Sequence, residues 1–161
     1  MGRTTFTTEF GCCAIAWSDQ VLTGFELPEA QPAAADVAPP PEIAAIIARV
    51  QRHLSGDLQD FSRLPFDFHL VPAFNADVLQ ATLQVKPGQT CSYGEIAARL
   101  GYPPATSRAV GAALGVNRWP LLIPCHRIVG ADGRMTGFSG PGGVKQKLRL
   151  LALEGAQLLA E

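Results

Sequence analysis

Apolar and polar positions alternate with different periods along the 161 residues, and each change of period marks an element. FGCCAIAWS (10–18) and QVLTGFELP (20–28) are β-rich and joined by a short polar turn at Ser18–Gln20, which predicts an antiparallel hairpin. EAQPAAADVAPPP (29–41) has little to bury and predicts a surface loop. In IAAIIARVQRHL (43–54), Ile43, Ile46, Ile47, Val50 and Leu54 recur at helical spacing, and Ser55-Gly56 ends this amphipathic helix. FDFHLV (66–71) alternates and predicts another strand.

A second group of elements follows. Residues 74–85 predict a helix, with Val78, Leu79, Leu83 and Val85 as its apolar positions, and PGQ (87–89) breaks it. SYGE (92–95) has the spacing of a capping box between Ser92 and Glu95, opening a helix with Tyr93, Ile96 and Leu100 on one face. Gly101-Tyr-Pro-Pro104 is a tight turn, and a further helix runs to about Leu114, the outline of a helix-turn-helix. PLLIPC (120–125) reads as buried, and Asp132-Gly133 suits a hairpin turn within RIVGADGRMTGF (127–138). A last helix over about 144–154 is expected to bury Leu148, Leu151 and Leu153. The pattern predicts an α/β protein: a small N-terminal α/β domain (1–72, sheet plus helix), then a mostly α, winged-helix-like helix-turn-helix domain (73–161).

Composition narrows the class. Hydrophobic residues make up 47% and charged residues 17%, a globular balance that excludes wholesale disorder. No run reaches the ~18 apolar residues of a membrane span, and MGRTTFTTEF has no apolar signal region, so a reduced, cytoplasmic protein is expected. The four cysteines form no disulfide framework and no C-x-x-C pair. Cys12 and Cys13 point to opposite faces of a strand, so no metal site is expected there, and no cofactor. His53 and His69 read as structural or exposed. The net charge of −1 divides unevenly: residues 1–90 carry −5 and residues 91–161 carry +4. Such polarity lets the basic half meet a polyanion while the acidic half faces water.

Cys125 carries the candidate chemistry. It sits in IPCHRIV, after an apolar run and before His126-Arg127, with Pro120 and Pro124 stiffening its approach. A thiol becomes a strong nucleophile as the thiolate, and an imidazole and cationic surroundings favour that form.

PCHR followed by a glycine-rich turn, and preceded by SYGEIAARLG and SRAVGAALGVN, closely resembles the O6-alkylguanine-DNA alkyltransferases, the methylated-DNA–protein-cysteine methyltransferases. The resemblance spans about 73–155; the first 70 residues are only generally similar to that family's N-terminal α/β domain. It implies that Cys125 is the alkyl acceptor, that His126 takes the thiol proton through a water, and that Glu154 orients His126. It implies that Asn117 ties the second helix of the helix-turn-helix to the active-site segment. Arg108 would enter the base stack in place of an extruded nucleotide, Tyr93 would contact phosphate or the flipped base, and Ser107 would lie at the DNA face. Gly111, Ala112 and Ala113 would let their helix approach the minor groove closely. Ser139 would help hold the alkylated oxygen, and Pro120 and Val129 would line the pocket.

The implied function is irreversible, stoichiometric repair of O6-alkylguanine in double-stranded DNA, extending to O4-alkylthymine, by a monomer that is consumed. The physics agrees: the lesion lies inside the duplex, so the base must be flipped out, and a donor such as the Tyr93 hydroxyl would stabilise the departing base. Three departures from the family pattern stand out. Asn117 is followed by Arg118-Trp119, which places Trp119 as a candidate pocket wall affecting alkyl size; Phe138 replaces a common Tyr; and GFSGPGGVKQK carries two extra residues. Two other readings stay open: an unreactive alkyltransferase-like lesion-binding protein, and a cysteine hydrolase using Cys125, His126 and Glu154.

Overall fold

The computed structural model describes residues 2–28, 37–130 and 143–156. It opens with a three-stranded antiparallel sheet in the order β1 (Gly2–Thr8), β2 (Gly11–Ser18), β3 (Val21–Glu26). The β2–β3 hairpin is the predicted one. Asp19 turns it with a φ of 53°, a left-handed conformation that a short polar side chain tolerates. β1 was not anticipated. Its sequence, GRTTFTT, has few apolar positions, and its strand character comes from threonines.

Cys13, Ile15 and Trp17 of β2 join Ile43, Val50 and Leu54 of α1 (Pro41–Leu54) in one core. α1 matches its predicted face and ends at Ser55. Phe66–Val71 is not the expected strand. Phe66 makes a single bridge to Leu22, and Phe68–Leu70 is a 3₁₀ turn. The side chain of Asp67 accepts from His69 N–H and so caps the turn, while Pro65 and Pro72 bracket a segment too short for a ladder.

α2 (Ala73–Thr82) ends earlier than its apolar pattern suggested; Leu83 and Val85 are buried in the turns that follow. β4 (Cys91–Ser92) leads into α3 (Tyr93–Arg99), and the capping box is present in both directions, Glu95 N–H to Ser92 Oγ and Ser92 N–H to Glu95 Oε1, each at 3.0 Å. A 3₁₀ turn at Pro104–Thr106 leads into α4 (Ser107–Gly115), which packs on both α2 and α3. β5 (Ile128–Val129) pairs in parallel with β4, with Ser92 opposite Val129.

α5 (Gly143–Leu153) buries Leu151 as predicted, but with different neighbours from those expected. Leu150 and Leu151 are fully buried, whereas Leu148 and Leu153 are only half-buried. The inward side chains are Gln146, Lys147, Leu150, Leu151 and Glu154, the last four at i, i+3, i+4 and i+7, so three of the five are polar or charged. Gly155, with φ +77°, closes the helix: its N–H bonds to Ala152 O and Ala156 N–H to Leu151 O, the two bonds of a Schellman cap. That cap fixes Glu154 as the last inward residue.

The sheet and the helical part are stitched together. Phe25 N–H donates to Arg118 O and Arg118 Nε to Thr23 O, and one apolar cluster runs from β2 through α4 to α5. No helix among the described residues is long and apolar enough to cross a membrane. The Asp132-Gly133 turn and Phe138 lie outside the described residues, as does most of the 29–41 loop.

Candidate active site

The segment from Asn117 to Pro124 is shaped largely by the side-chain bonds of Asn117. Asn117 Nδ2 donates to Ile123 O at 3.0 Å and its Oδ1 accepts from Trp119 N–H at 2.9 Å, while Ile123 N–H donates to Trp119 O. Within this closed turn Leu121 is held at φ +77°, a strained setting for a side chain with a Cβ, at a cost of about 1–3 kcal/mol. The turn delivers Cys125 into a short 3₁₀ helix, Cys125–Arg127, with Cys125 N–H bonded to Ile123 O. Asn117 thus joins the end of α4 to the cysteine segment.

Cys125 is 6% exposed. Burial pushes its thiol up; a hydrogen bond from Asn117, the charge of Lys147 and local backbone N–H groups pull the other way without cancelling the rise. The expectation of a thiol already lowered by its surroundings is therefore corrected. Desolvation wins, and the resting group is S–H, which needs a base to react.

The base is held in a defined way. His126 Nε2 lies 2.9 Å from Glu154 Oε1, and among the described residues His126 Nδ1 is the buried side-chain nitrogen or oxygen without a hydrogen-bond partner. A carboxylate can only accept, so Nε2 carries the proton and Nδ1 the lone pair. Burial pushes His126 below the ordinary imidazole value despite Glu154, which keeps the ring neutral and Nδ1 basic at neutral pH.

Glu154 is saturated. Oε1 accepts from His126 Nε2 and Arg127 Nε, both at 2.9 Å; Oε2 accepts from Arg127 Nη2 at 2.7 Å and His53 Nε2 at 2.9 Å. Burial alone would raise its pKa, but the bonds from Arg127, His126 and His53 hold it far below the usual carboxylate range. Arg127 Nη1 donates further to Val85 O at 2.7 Å. The ionised pair is tolerable in the interior because nearly every polar site is used.

Sequence reasoning assigned no role to three members of this cluster: His53, Arg127 and Lys147. Lys147 is 1% exposed, donates from Nζ to Ile128 O at 2.7 Å, and is pushed by burial to about 8, with the Cys125 charge opposing that fall. The cationic Arg127 within the apolar stretch IPCHRIV was the available signal; His53 gave none.

The other predicted residues separate. Tyr93 opens α3 immediately after Ser92, which pairs with Val129, so Tyr93 and Val129 share one corner. Tyr93 is half-buried, and a Cβ on Gly111 would sit 3.8 Å from its ring. Gly111 therefore faces Tyr93. Ala112 and Arg108 are exposed, but Ala113 is buried, a correction to its expected place on the groove face. The helical step puts Val110, Ala113 and Leu114 inward and Arg108, Ala112, Gly115 and Val116 outward. Ser107 is half-buried and its hydroxyl donates to Pro104 O at 2.7 Å. Pro120 is half-buried in the Asn117 turn.

Trp119 is corrected as a pocket wall. Its ring packs edge-on against Phe66 and Phe68, at 5.5 and 5.7 Å, and its Nε1 donates to Leu22 O at 3.1 Å. It fastens the active-site turn to the N-terminal sheet. Ser139 lies outside the described residues.

A buried thiol beside a neutral, carboxylate-oriented imidazole, carried after a helix-turn-helix, defines a class of cysteine-dependent DNA-acting proteins, and comparison with known proteins specifies it. The family model "6-O-methylguanine DNA methyltransferase, DNA binding domain" matches residues 73–156. A methylated-DNA–protein-cysteine methyltransferase of Methanothermobacter thermautotrophicus is 35% identical over 145 residues, 89% of this chain and 80% of that one. One from Mycobacterium tuberculosis is 33% identical over 160 residues, 98% of this chain and 94% of that one. The crystal structure of Mycobacterium tuberculosis OGT in complex with DNA superposes with a TM-score of 0.78 at 32% identity, covering 94% of this chain and 92% of that one. The chain belongs to the methylated-DNA–protein-cysteine methyltransferase family.

Proposed function

We propose that this protein repairs O6-alkylguanine in double-stranded DNA by moving the alkyl group to Cys125, once per chain. The carrying observation is the unpartnered Nδ1 of His126, fixed by Glu154, next in sequence to a buried thiol. The Cys125 S–H proton passes through a water to Nδ1. The thiolate attacks the alkyl carbon in line, an S–C bond forms, and the C–O6 bond breaks with its electrons leaving on guanine. Tyr93 donates a proton or hydrogen bond to the departing base. Lys147 steadies the sulfur while it is anionic. The product is a thioether that no residue of this chain reverses.

Residues 73–161 form the reactive, DNA-binding unit in this reading. Arg108 enters the stack from the outward face of α4, and the small Ala112 beside it lets the helix lie in the groove. Ser107 lies at the DNA face beside Arg108, Pro120 and Val129 border the base, and Ser139 helps hold O6. O4-alkylthymine is a second substrate of the same chemistry. The protein acts as a monomer in the cytoplasm, on the nucleoid.

The test is a count. Excess duplex carrying label in its O6-methylguanine is incubated with the protein, and label per chain is measured. A plateau near one, abolished by Cys125→Ala, supports the reading. Binding without transfer favours the lesion-binding protein, and repeated turnover of a peptide or ester substrate favours a hydrolase.

A further inference from the structure

We infer that His53 is a positioning residue for the reaction at Cys125: it locks the Glu154 carboxylate and, through it, the tautomer of His126. This rests on the reading of His126 as the base. His53 lies near the C-terminal end of α1, 101 residues before Glu154 and outside the matched 73–156 segment. It is fully buried. Gln59 backbone N–H donates to His53 Nδ1 at 2.9 Å. A backbone amide nitrogen cannot accept, so Nδ1 carries the lone pair and the ring proton sits on Nε2, which donates to Glu154 Oε2.

The ring is held from the side as well. Phe61 packs against it at 5.2 Å, and Arg49 of α1 covers the other end of this arrangement, 5.3 Å from the Phe61 ring centre and bonded through Nε to Gln59 Oε1. Residues 57–61 thus fold back on α1 and orient His53. The consequence runs through Glu154. Its four acceptor sites meet four donors, two from Arg127 and one from each histidine. With His53 removed, Oε2 loses one of its two donors, and only the Arg127 fork still resists tilting of the carboxylate about its Cγ–Cδ bond. His126 then loses its fixed acceptor, and the proton on Nε2 is free to move to Nδ1, the atom that must stay unprotonated. The N-terminal unit therefore supplies part of the active site's orientation.

The experiment uses the full-length chain with 15N-labelled histidine, as wild type, His53→Phe and His53→Gln. Ring-nitrogen shifts of His53 and His126 are read alongside the single-turnover rate on O6-methylguanine duplex. Wild type is expected to show both rings with the proton on Nε2. In His53→Phe the His126 nitrogens move toward averaged values and transfer slows about tenfold or more, whereas the Gln amide replaces Nε2–H and restores the His126 shifts and the rate to within about threefold. A wild-type His53 protonated on Nδ1 overturns the inference. So do a Phe variant with unchanged His126 shifts and rate, and Phe and Gln variants that are equally slow. If the Phe variant does not fold, the wild-type tautomer and the Gln variant decide: a Gln variant slowed beyond tenfold overturns it. A wild type that takes up no label overturns the repair reading, while the ring-nitrogen shifts still test the hold of His53 on Glu154.

Discussion

Glu154 reaches His126 from 28 residues further along the chain, and the 2.9 Å contact between its Oε1 and the imidazole Nε2 decides which nitrogen of that ring is basic. Glu154→Gln keeps the shape but turns one acceptor into a donor facing other donors. Breaking one member of a buried ionic cluster costs about 3–5 kcal/mol of stability, read by urea unfolding. Transfer is expected to fall about a hundredfold as the tautomer is lost. The wild type also has an acid signature. Because the folded-state pKa of Glu154 is depressed, its stabilisation is present above its ordinary value of 4.5 and fades as pH falls below that. The variant should lack that part of the acid-side loss.

Lys147 and Cys125 share a buried corner, with the ammonium pulled down to about 8 and the thiol pushed up. Below about 8 the lysine is charged and favours the thiolate; above it that support disappears. Lys147→Met should slow alkyl transfer at neutral pH, where the lysine is charged, by about tenfold, the effect of ~1.4 kcal/mol, and leave the iodoacetamide reactivity of Cys125 well above pH 8 unchanged. His126 sets the acid side. Because its pKa is lowered, the wild-type rate should hold as pH falls to 6.5, the ordinary imidazole value, and drop only below it. A rate already halved at 6.5 would contradict a desolvated, neutral His126.

These two side chains also show why part of the site was illegible in the sequence. The helix of residues 143–153 was read by its apolar residues alone, so Leu148 was placed inward; the true stripe contains Lys147 and Glu154, which burial admits because Ile128 O, Arg127 and two histidines receive them. His53 sits in a well-predicted helix, but its partner is 101 residues away and no local pattern encodes that pairing. Features whose physics is local were legible: the Ser92–Glu95 capping box, the α1 stripe, the hairpin turned at Asp19, and the PCHR segment itself. The Thr-rich first strand was not, because it lacks the apolar period that identifies a strand, and the capped turn after Phe66 was not, because FDFHLV has that period while the Asp67 cap and the flanking prolines make it a turn.

Trp119 provides a direct check on the corrected part of that reading. Its ring faces Phe66 and Phe68, and its indole N–H satisfies Leu22 O in the interior. Trp119→Phe removes one of the two donors to that carbonyl, leaving the Asp67 N–H at 3.0 Å, and opens a partial void, a loss of about 1–3 kcal/mol, measured as a lowered urea midpoint. The ratio of transfer rates for methyl and for a bulkier butyl group should stay within about twofold of wild type, a difference below ~0.4 kcal/mol between the two groups, since the ring packs away from the site. A large change in that ratio would restore Trp119 as a wall of the pocket.

Arg108 is the outward cation at the start of α4, on the same stripe as Ala112, Gly115 and Val116. An exposed arginine on a solvated helix face contributes little to folding, so Arg108→Ala should leave the urea midpoint unchanged within about 0.5 kcal/mol. Its effect should appear only when a base must leave the stack. Holding a step unstacked costs a few kcal/mol, and losing ~1.4 kcal/mol of the compensation slows repair about tenfold. Duplex O6-methylguanine should therefore be repaired at least tenfold more slowly by Arg108→Ala, whereas the free modified base, which needs no extrusion, should react at nearly the wild-type rate. Equal slowing on both substrates would place Arg108 in general binding or folding and remove its role in the stack. A loss confined to low salt would make it a phosphate contact, because a side chain inserted between bases acts through stacking and hydrogen bonds that salt does not screen.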